Sequence, residues 1–309
     1  MVLNLVEHKE LSESLTTLRD YIRWASSEFN RQKLTFGHGF STALDEAVYL
    51  VLHAVNLPWD FPESYFDTTL TDLEREQVHG LLVKRVFTRK PAAYLTNEAW
   101  FCGLPFYVDE RVLVPRSPIA ELINNRFEPW LDSSQVENIL DLCTGSGCIA
   151  IACQYAFPDA SVSASDLSAD AIEVAKKNRQ KHELVQSLKL YESDLFNRIP
   201  PQKFDLIVSN PPYVDAEDMG DLTDEFKAEP EMGLAAGQDG LEVVDRMLIE
   251  ATDYLSDHGL LVVEVGNSQV AMMEKYQHLA LSWIEFEHGG GGVFCITAEE
   301  LKQYFVLNN

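Results

Sequence analysis

From about residue 136 onward, short apolar runs alternate with helix-like stretches, and this alternation restricts the possible folds more than any other feature of the chain. The runs read NILDLCT, SVSASD, LKLYESD, FDLIVSN, GLLVVEVG, SWIEFEH and GVFCIT, with helices between the first three, near 240–256 and after GLLVVEVG. Strands separated by helical segments pair in parallel through crossovers that cover both sheet faces. The pattern predicts an α/β fold, a doubly wound open sheet whose ligands sit outside the C-terminal ends of its strands.

The rest of the chain reads differently. Residues 1 to about 87 carry three runs of roughly helical spacing: LVEHKELSESLTTLRDYIRWASSEFN, STALDEAVYLVLHAVNL closed by Pro58, and TDLEREQVHGLLVKRVFTRK. Thr71 is the expected N-cap of the third, with Glu74 at capping-box spacing. From Tyr94 to Val114 the segment EAWFCGLPFYVDERVLV reads as a hairpin or β-linker, and Pro115 and Pro118 break the chain before a short helix in IAELINNRF. The expected organisation is a helical domain at 1–90, a β-hairpin linker at 91–120 and the α/β domain at 121–309.

Charge narrows the function. With 24 basic and 49 acidic residues the formal charge is −25, so the surface repels phosphate backbones and free nucleic acid is a poor partner. A basic protein suits it better, although acidity also serves solubility alone. The five cysteines, Cys102, Cys143, Cys148, Cys153 and Cys295, form no C-x-x-C pair, so no metal site is expected. A charged-then-apolar leader and a run of 18 apolar residues are both missing, which predicts a cytoplasmic, reduced protein without a membrane partner.

Four segments at strand ends could carry chemistry. In ILDLCTGSGCIAIA, Asp141 precedes the turn Cys143-Thr144-Gly145-Ser146-Gly147, which opens a helix. Glycines there let a ligand approach the backbone, and the helix start offers free N–H groups. An acid just before the turn repels a pyrophosphate and suits a ligand with an ammonium group, which points to S-adenosyl-L-methionine rather than a dinucleotide. Asp166 closes the next strand, where an acid accepts ribose hydroxyls. Asp166 or Ser168 also suits an N-cap, and both readings stand. Asp194, followed by Leu195 and Phe196, closes the third: carboxylate or backbone takes an adenine amino group while the apolar neighbours pack on its ring.

The fourth is SNPPYV. A planar NH2 group is a poor nucleophile because its lone pair is delocalised, so an enzyme that methylates it must hold both hydrogens and aim the nitrogen. The Asn210 side-chain oxygen and the Pro211 carbonyl are two acceptors, Pro211 and Pro212 fix φ, and Tyr213 lies against the flat group. A rigid strand exit is the plain alternative.

Together RKPAAYLTNEAWFCGLPFYVDERVLVPRS, DLCTGSGCIAIA, SNPPYV and EPEMGLAAGQDGLEVV resemble the protein-glutamine methyltransferases, a family of class I S-adenosyl-L-methionine-dependent enzymes. The resemblance covers nearly the whole chain. It implies a seven-stranded Rossmann-like sheet and a substrate-recognising helical N-terminal domain. It implies cofactor contacts at the glycine turn, Asp166 and Asn210, with Asn210 to Tyr213 holding a glutamine. The release-factor branch usually carries Pro-Arg-Pro-Glu-Thr-Glu after the linker, whereas this chain has Pro115-Arg116-Ser117-Pro118-Ile119-Ala120. That departure, with EFEHGGGGVF near the end, resembles the branch acting on large-subunit ribosomal protein L-three, a basic substrate. His288 and the four glycines after it read as a flexible loop near the active-site mouth that supports substrate choice, or as a wide turn between the last two strands, and Glu231 as an acid that orders a cover loop or only faces water.

Overall fold

The computed structural model describes residues 14–307. They form two compact units: one runs to Asn97 and takes in Thr223–Ala228, and the other holds Glu98–Leu222 and the chain from Glu229 onward.

The first unit is helical, with helices at Leu18–Arg31, Ala43–Ala54, Asp72–Thr88 and Ala92–Thr96. The Thr17, Thr42 and Thr71 side chains each accept an N–H of the first turn. Asp20 and Glu74 return the bond, so the expected Thr71–Glu74 capping box is present. The first helix is shorter than its apolar pattern suggested: among the described residues it starts at Leu18, and the earlier part of that run lies outside them.

This unit buries an ion cluster. Arg85, wholly shielded from water, donates from Nε to Glu46 Oε1 at 2.6 Å and lies 3.7 Å from Glu225. Glu225 also accepts from Arg89 at 2.8 Å and from the Thr35 N–H at 3.1 Å. A basic residue of one helix and the basic C-cap that follows it thus hold Thr223–Ala228, a segment far along the chain, in the helical unit.

The second unit opens with a hairpin, β1 (Ala99–Phe101) and β2 (Leu104–Phe106), paired antiparallel. Cys102 and Gly103 form its two-residue turn with φ of 49° and 73°, the left-handed geometry that matches strand twist. Of the longer β segment expected here, only these two short strands pair.

The main sheet has seven strands: β3 (Asn138–Leu142), β4 (Ser161–Asp166), β5 (Leu188–Glu192), β6 (Phe204–Ser209), β7 (Leu255–Glu264), β8 (Ser282–Trp283) and β9 (Val293–Thr297). Their order is β5-β4-β3-β6-β7-β9-β8, with β9 antiparallel to both neighbours and the rest parallel. The seven expected runs are the seven strands, with two changes of extent. β7 begins early, at Leu255, across an irregularity opposite Phe204 and Leu206. SWIEFEH pairs briefly because its later N–H groups leave the edge: Glu287 and His288 both donate to the Glu121 carboxylate.

Alternate residues serve opposite faces. Ile139, Val162 and Leu206 join one core with Ile149, Ile151 and Phe127. Leu140, Leu142 and Ile207 join another with Met247 and Leu248. Strand order reverses between β3 and β6, where Leu142 is registered with Ser209. The residues that follow these strands, the Cys143–Gly147 turn and Asn210, therefore emerge side by side at the switch point. No helix among the described residues is long and apolar enough to cross a membrane.

Arg85→Ala strips a buried cation from two buried carboxylates and is expected to lower stability by about 3–5 kcal/mol. Urea unfolding checks the loss, and faster proteolysis within Thr223–Ala228 checks its location.

Candidate active site

Two cavities adjoin at the switch point. The larger, about 340 Å³, is lined by Asp166, Leu167, Asp194, Leu195 and Pro212 among others. The smaller, about 70 Å³, is lined by Arg116, Ser117, Pro211, Tyr213 and Glu264. Cys143, Gly145 and Asn210 border both.

The turn between them is clamped by two acids. Asp141 has no exposed surface, and its Oδ2 accepts from the Thr144 hydroxyl at 2.5 Å and the Ala150 N–H at 3.0 Å. Its Oδ1 has no partner. Burial pushes its carboxyl up to about 7, against the lowering effect of those two hydrogen bonds. Asp141 was expected to face a charged ligand. It lines neither cavity and instead sits beneath the turn, because its place on β3 points it at the start of the following helix.

Asp166 clamps from the next strand. Its Oδ2 accepts from the Gly145 N–H at 2.9 Å and its Oδ1 from the Ser168 N–H at 2.9 Å. The half-buried carboxylate still borders the larger cavity, and burial raises its pKa. Ser168 caps the next helix by accepting from Ala171, so the N-cap reading belongs to Ser168. Gly147 sits at φ 82°, where a side chain is strained, and a Cβ there would crowd Ala175 at 3.3 Å. Gly145 is open, with nothing within 4 Å of a Cβ. The Ser146 carbonyl accepts from Asn178, and its buried hydroxyl has no partner.

At the third strand end the parts separate. Asp194 accepts from Arg246 at 3.0 Å. Leu195 lines the larger cavity, but Phe196 does not: it turns inward and stacks on Tyr254 with ring centroids 4.5 Å apart. The apolar contact expected from two side chains comes from Leu195, with Leu167 exposed opposite.

At the fourth, β6 ends at Ser209, whose hydroxyl donates to the Leu142 carbonyl at 2.7 Å and ties the two strand ends together. Asn210 follows with its side-chain Oδ1 buried and unpartnered. Tyr213 donates to Glu264 Oε1 at 3.1 Å, and burial raises the phenol's pKa. Glu264 escaped the sequence reading, although it closes β7 just as Asp141 and Asp166 sit at the ends of their strands. The signal was the same, an acid ending a buried apolar run. Arg116 and Glu229, a bidentate pair at 2.6 and 2.7 Å, also gave no short-range sign, being 113 residues apart. Glu231 is exposed and lines neither cavity, unlike its neighbours Pro230 and Met232. His288 is exposed on the turn before β9.

These residues suit S-adenosyl-L-methionine. Asp166 offers a carboxylate at the cavity edge, Leu167 and Leu195 offer apolar surface, and the bare Gly145 backbone permits close approach. The sheet order, the glycine turn after the central strand and this divided pocket define a class I methyltransferase. The methyltransferase small domain family matches residues 127–237. The hMettl16 catalytic domain, solved with a MAT2A 3′UTR hairpin, is 16% identical with a TM-score of 0.51 over 70% of this chain and 80% of its own, a likeness of fold. A ribosomal protein uL3 glutamine methyltransferase of Francisella tularensis is 45% identical over 299 residues, 96% of this chain and 95% of its own. That of Burkholderia pseudomallei is 47% identical, over 92% and 95%. The chain belongs to the ribosomal protein uL3 glutamine methyltransferases, S-adenosyl-L-methionine-dependent enzymes of protein methylation.

Asp141 makes a pH prediction. Folded, it keeps its proton to about pH 7, against a reference value of 3.8. Its contribution to stability is therefore complete below the lower value and lost as pH rises through the higher one. Asp141→Asn should flatten the fall in melting temperature between about pH 4 and 7 relative to the parent, as thermal melts across that range would show.

Proposed function

We propose that the chain transfers the methyl group of S-adenosyl-L-methionine to the side-chain amide nitrogen of a glutamine in ribosomal protein uL3. The observation that carries this reading is Asn210 Oδ1, a buried acceptor without a donor where the two cavities meet. A buried amide oxygen left unpaired costs about 1–3 kcal/mol, so it favours a ligand that brings an N–H. A glutamine side chain brings two. Curated relatives that are 45% and 47% identical over nearly the full chain carry the uL3 name, which supports the choice of acceptor.

On this reading Asp166, Gly145, Leu167 and Leu195 hold the cofactor, with Cys143, Thr144, Ser146 and Gly147 shaping the turn and Asp141 supporting it from below. Because Asp194 is paired with Arg246, the adenine end meets Leu195 and nearby backbone rather than a free carboxylate. When bound, the cofactor supplies an electrophilic methyl group on a sulfonium. The protein's task is to orient the acceptor. Asn210 Oδ1 takes one amide N–H, Pro211 and Pro212 hold the backbone acceptor still, and Tyr213 limits tilt of the flat amide. An alcohol in the smaller cavity, with a single O–H, would leave one of the two acceptors unpaired, which contributes to selectivity. The acidic surface suits a basic substrate, and the helical domain is the part assigned to recognising it.

Two rivals make different predictions. A release-factor enzyme would use the same residues on another protein, and an adenine-amino methyltransferase would label RNA. Incubation with radiolabelled cofactor and separated uL3, release factor and ribosomal RNA distinguishes them; label confined to RNA would overturn the glutamine reading. Asn210→Ala is expected to abolish transfer, by at least about a hundredfold in kcat, while calorimetric affinity for the cofactor, whose larger cavity Asn210 touches only at the edge, falls far less.

A further inference from the structure

The back of Tyr213 is built more tightly than a turn requires. Its ring lies against Gly266, where φ is 44° and any Cβ would run into the ring. The Tyr213 carbonyl accepts from the Ser268 hydroxyl at 2.8 Å, and a Cβ at Gly240 would collide with both. Behind Gly266 stands Gly292, whose carbonyl accepts from the Val265 and Gly266 N–H groups at 2.6 and 3.2 Å. A side chain at Gly292 would strike the Gly266 backbone.

The phenol is held from the other end by Glu264, which is 5% exposed. Glu264 Oε1 accepts from Tyr213 and Oε2 accepts from the Ser117 hydroxyl at 2.5 Å. Ser117 Oγ in turn accepts from the Ile119 N–H at 3.2 Å. The next residue, Pro118, meets the glycine turn, since a Cβ at Gly290 would lie 2.9 Å from it. Ser117-Pro118, where this chain departs from the release-factor pattern, and Gly289 to Gly292, in the segment that resembles the ribosomal-protein branch, thus converge on one tyrosine.

We propose that Glu264 is a positioning residue that locks the Tyr213 ring in the acceptor cavity, and that Ser117, by holding Glu264, is a determinant of acceptor specificity. The inference rests on Tyr213 facing the acceptor amide. Both Glu264 oxygens are engaged by hydroxyl donors, so its contribution is the placement of the ring and no proton passes through it. A Pro at position 117, as in the release-factor pattern, has no hydroxyl for Glu264. The Tyr213 ring then settles differently, and the cavity accepts a differently presented glutamine.

Steady-state methylation of uL3 by the full chain tests this, with cofactor affinity measured for each variant as the check on folding. Glu264→Ala should reduce kcat/KM for uL3 at least about tenfold while cofactor affinity holds. Glu264→Gln keeps an acceptor for the phenol, with Ser117 free to accept from the new amide, and should recover most of that loss. Tyr213→Phe added to Glu264→Ala should cost little more than Glu264→Ala alone, since both cut the same link. Ser117→Ala should raise KM for uL3 more than it lowers kcat. Glu264→Gln as damaged as Glu264→Ala would overturn the proposal by making the charge essential, and so would additive losses or an unaffected Glu264→Ala. Failure of the parent protein to label uL3 at all would instead remove the glutamine reading beneath it.

Discussion

One carboxyl group shut away from water, that of Asp141, sets the geometry of everything above it. Asp141 ends the central strand region facing the start of a helix, and its Oδ2 holds both the Thr144 hydroxyl and the Ala150 N–H. Those bonds draw strand end, turn and helix into one block. Cys143, Gly145 and Gly147 can then adopt left-handed backbone without the turn fraying. Asp166 completes the block by taking the Gly145 N–H from the neighbouring strand. The resulting bare stretch of backbone is the shared wall of both cavities.

The strand-end acids look alike in sequence and do different things. Asp141 supports from beneath, Asp166 both clamps and borders the cavity, Asp194 pairs with Arg246, and Glu264 braces Tyr213. Residue type does not separate them. What separates them is which side of the sheet edge each faces and which loop passes overhead, and those are set by strand order and register. At β6 the same geometry places Asn210 beside the glycine turn, because Leu142 and Ser209 are in register and bonded across the strand ends.

Much of the fold was legible because its signals are local. Apolar runs of strand length, helices between them, the Thr71–Glu74 cap and a hairpin in EAWFCGLPFYVDERVLV all depend on residues within a few positions. The candidate site was legible in outline for the same reason, since Gly145, Asp166 and Asn210 each lie at or just beyond a strand end. Long-range partnerships were not. Arg116–Glu229, Ser117–Glu264 and Arg85–Glu225 join residues over a hundred positions apart, and no spacing rule marks them. Phe196 was misjudged for a related reason: an aromatic after a strand end suits a ligand ring as well as a core, and only the presence of Tyr254 decides between them.

The amino-acid sequence by itself determined the alternation of strands and helices, the positions of the turns and the chemistry available at each strand end. These follow from the dihedral preferences and polarity of neighbouring residues. Tertiary structure alone decided which acids border a cavity, which amide oxygen is left without a partner, and that Ser117 and Gly292 pack around one tyrosine. The reason is physical: burial and hydrogen-bond saturation belong to the assembled environment of an atom, and that environment is contributed by segments far apart along the chain.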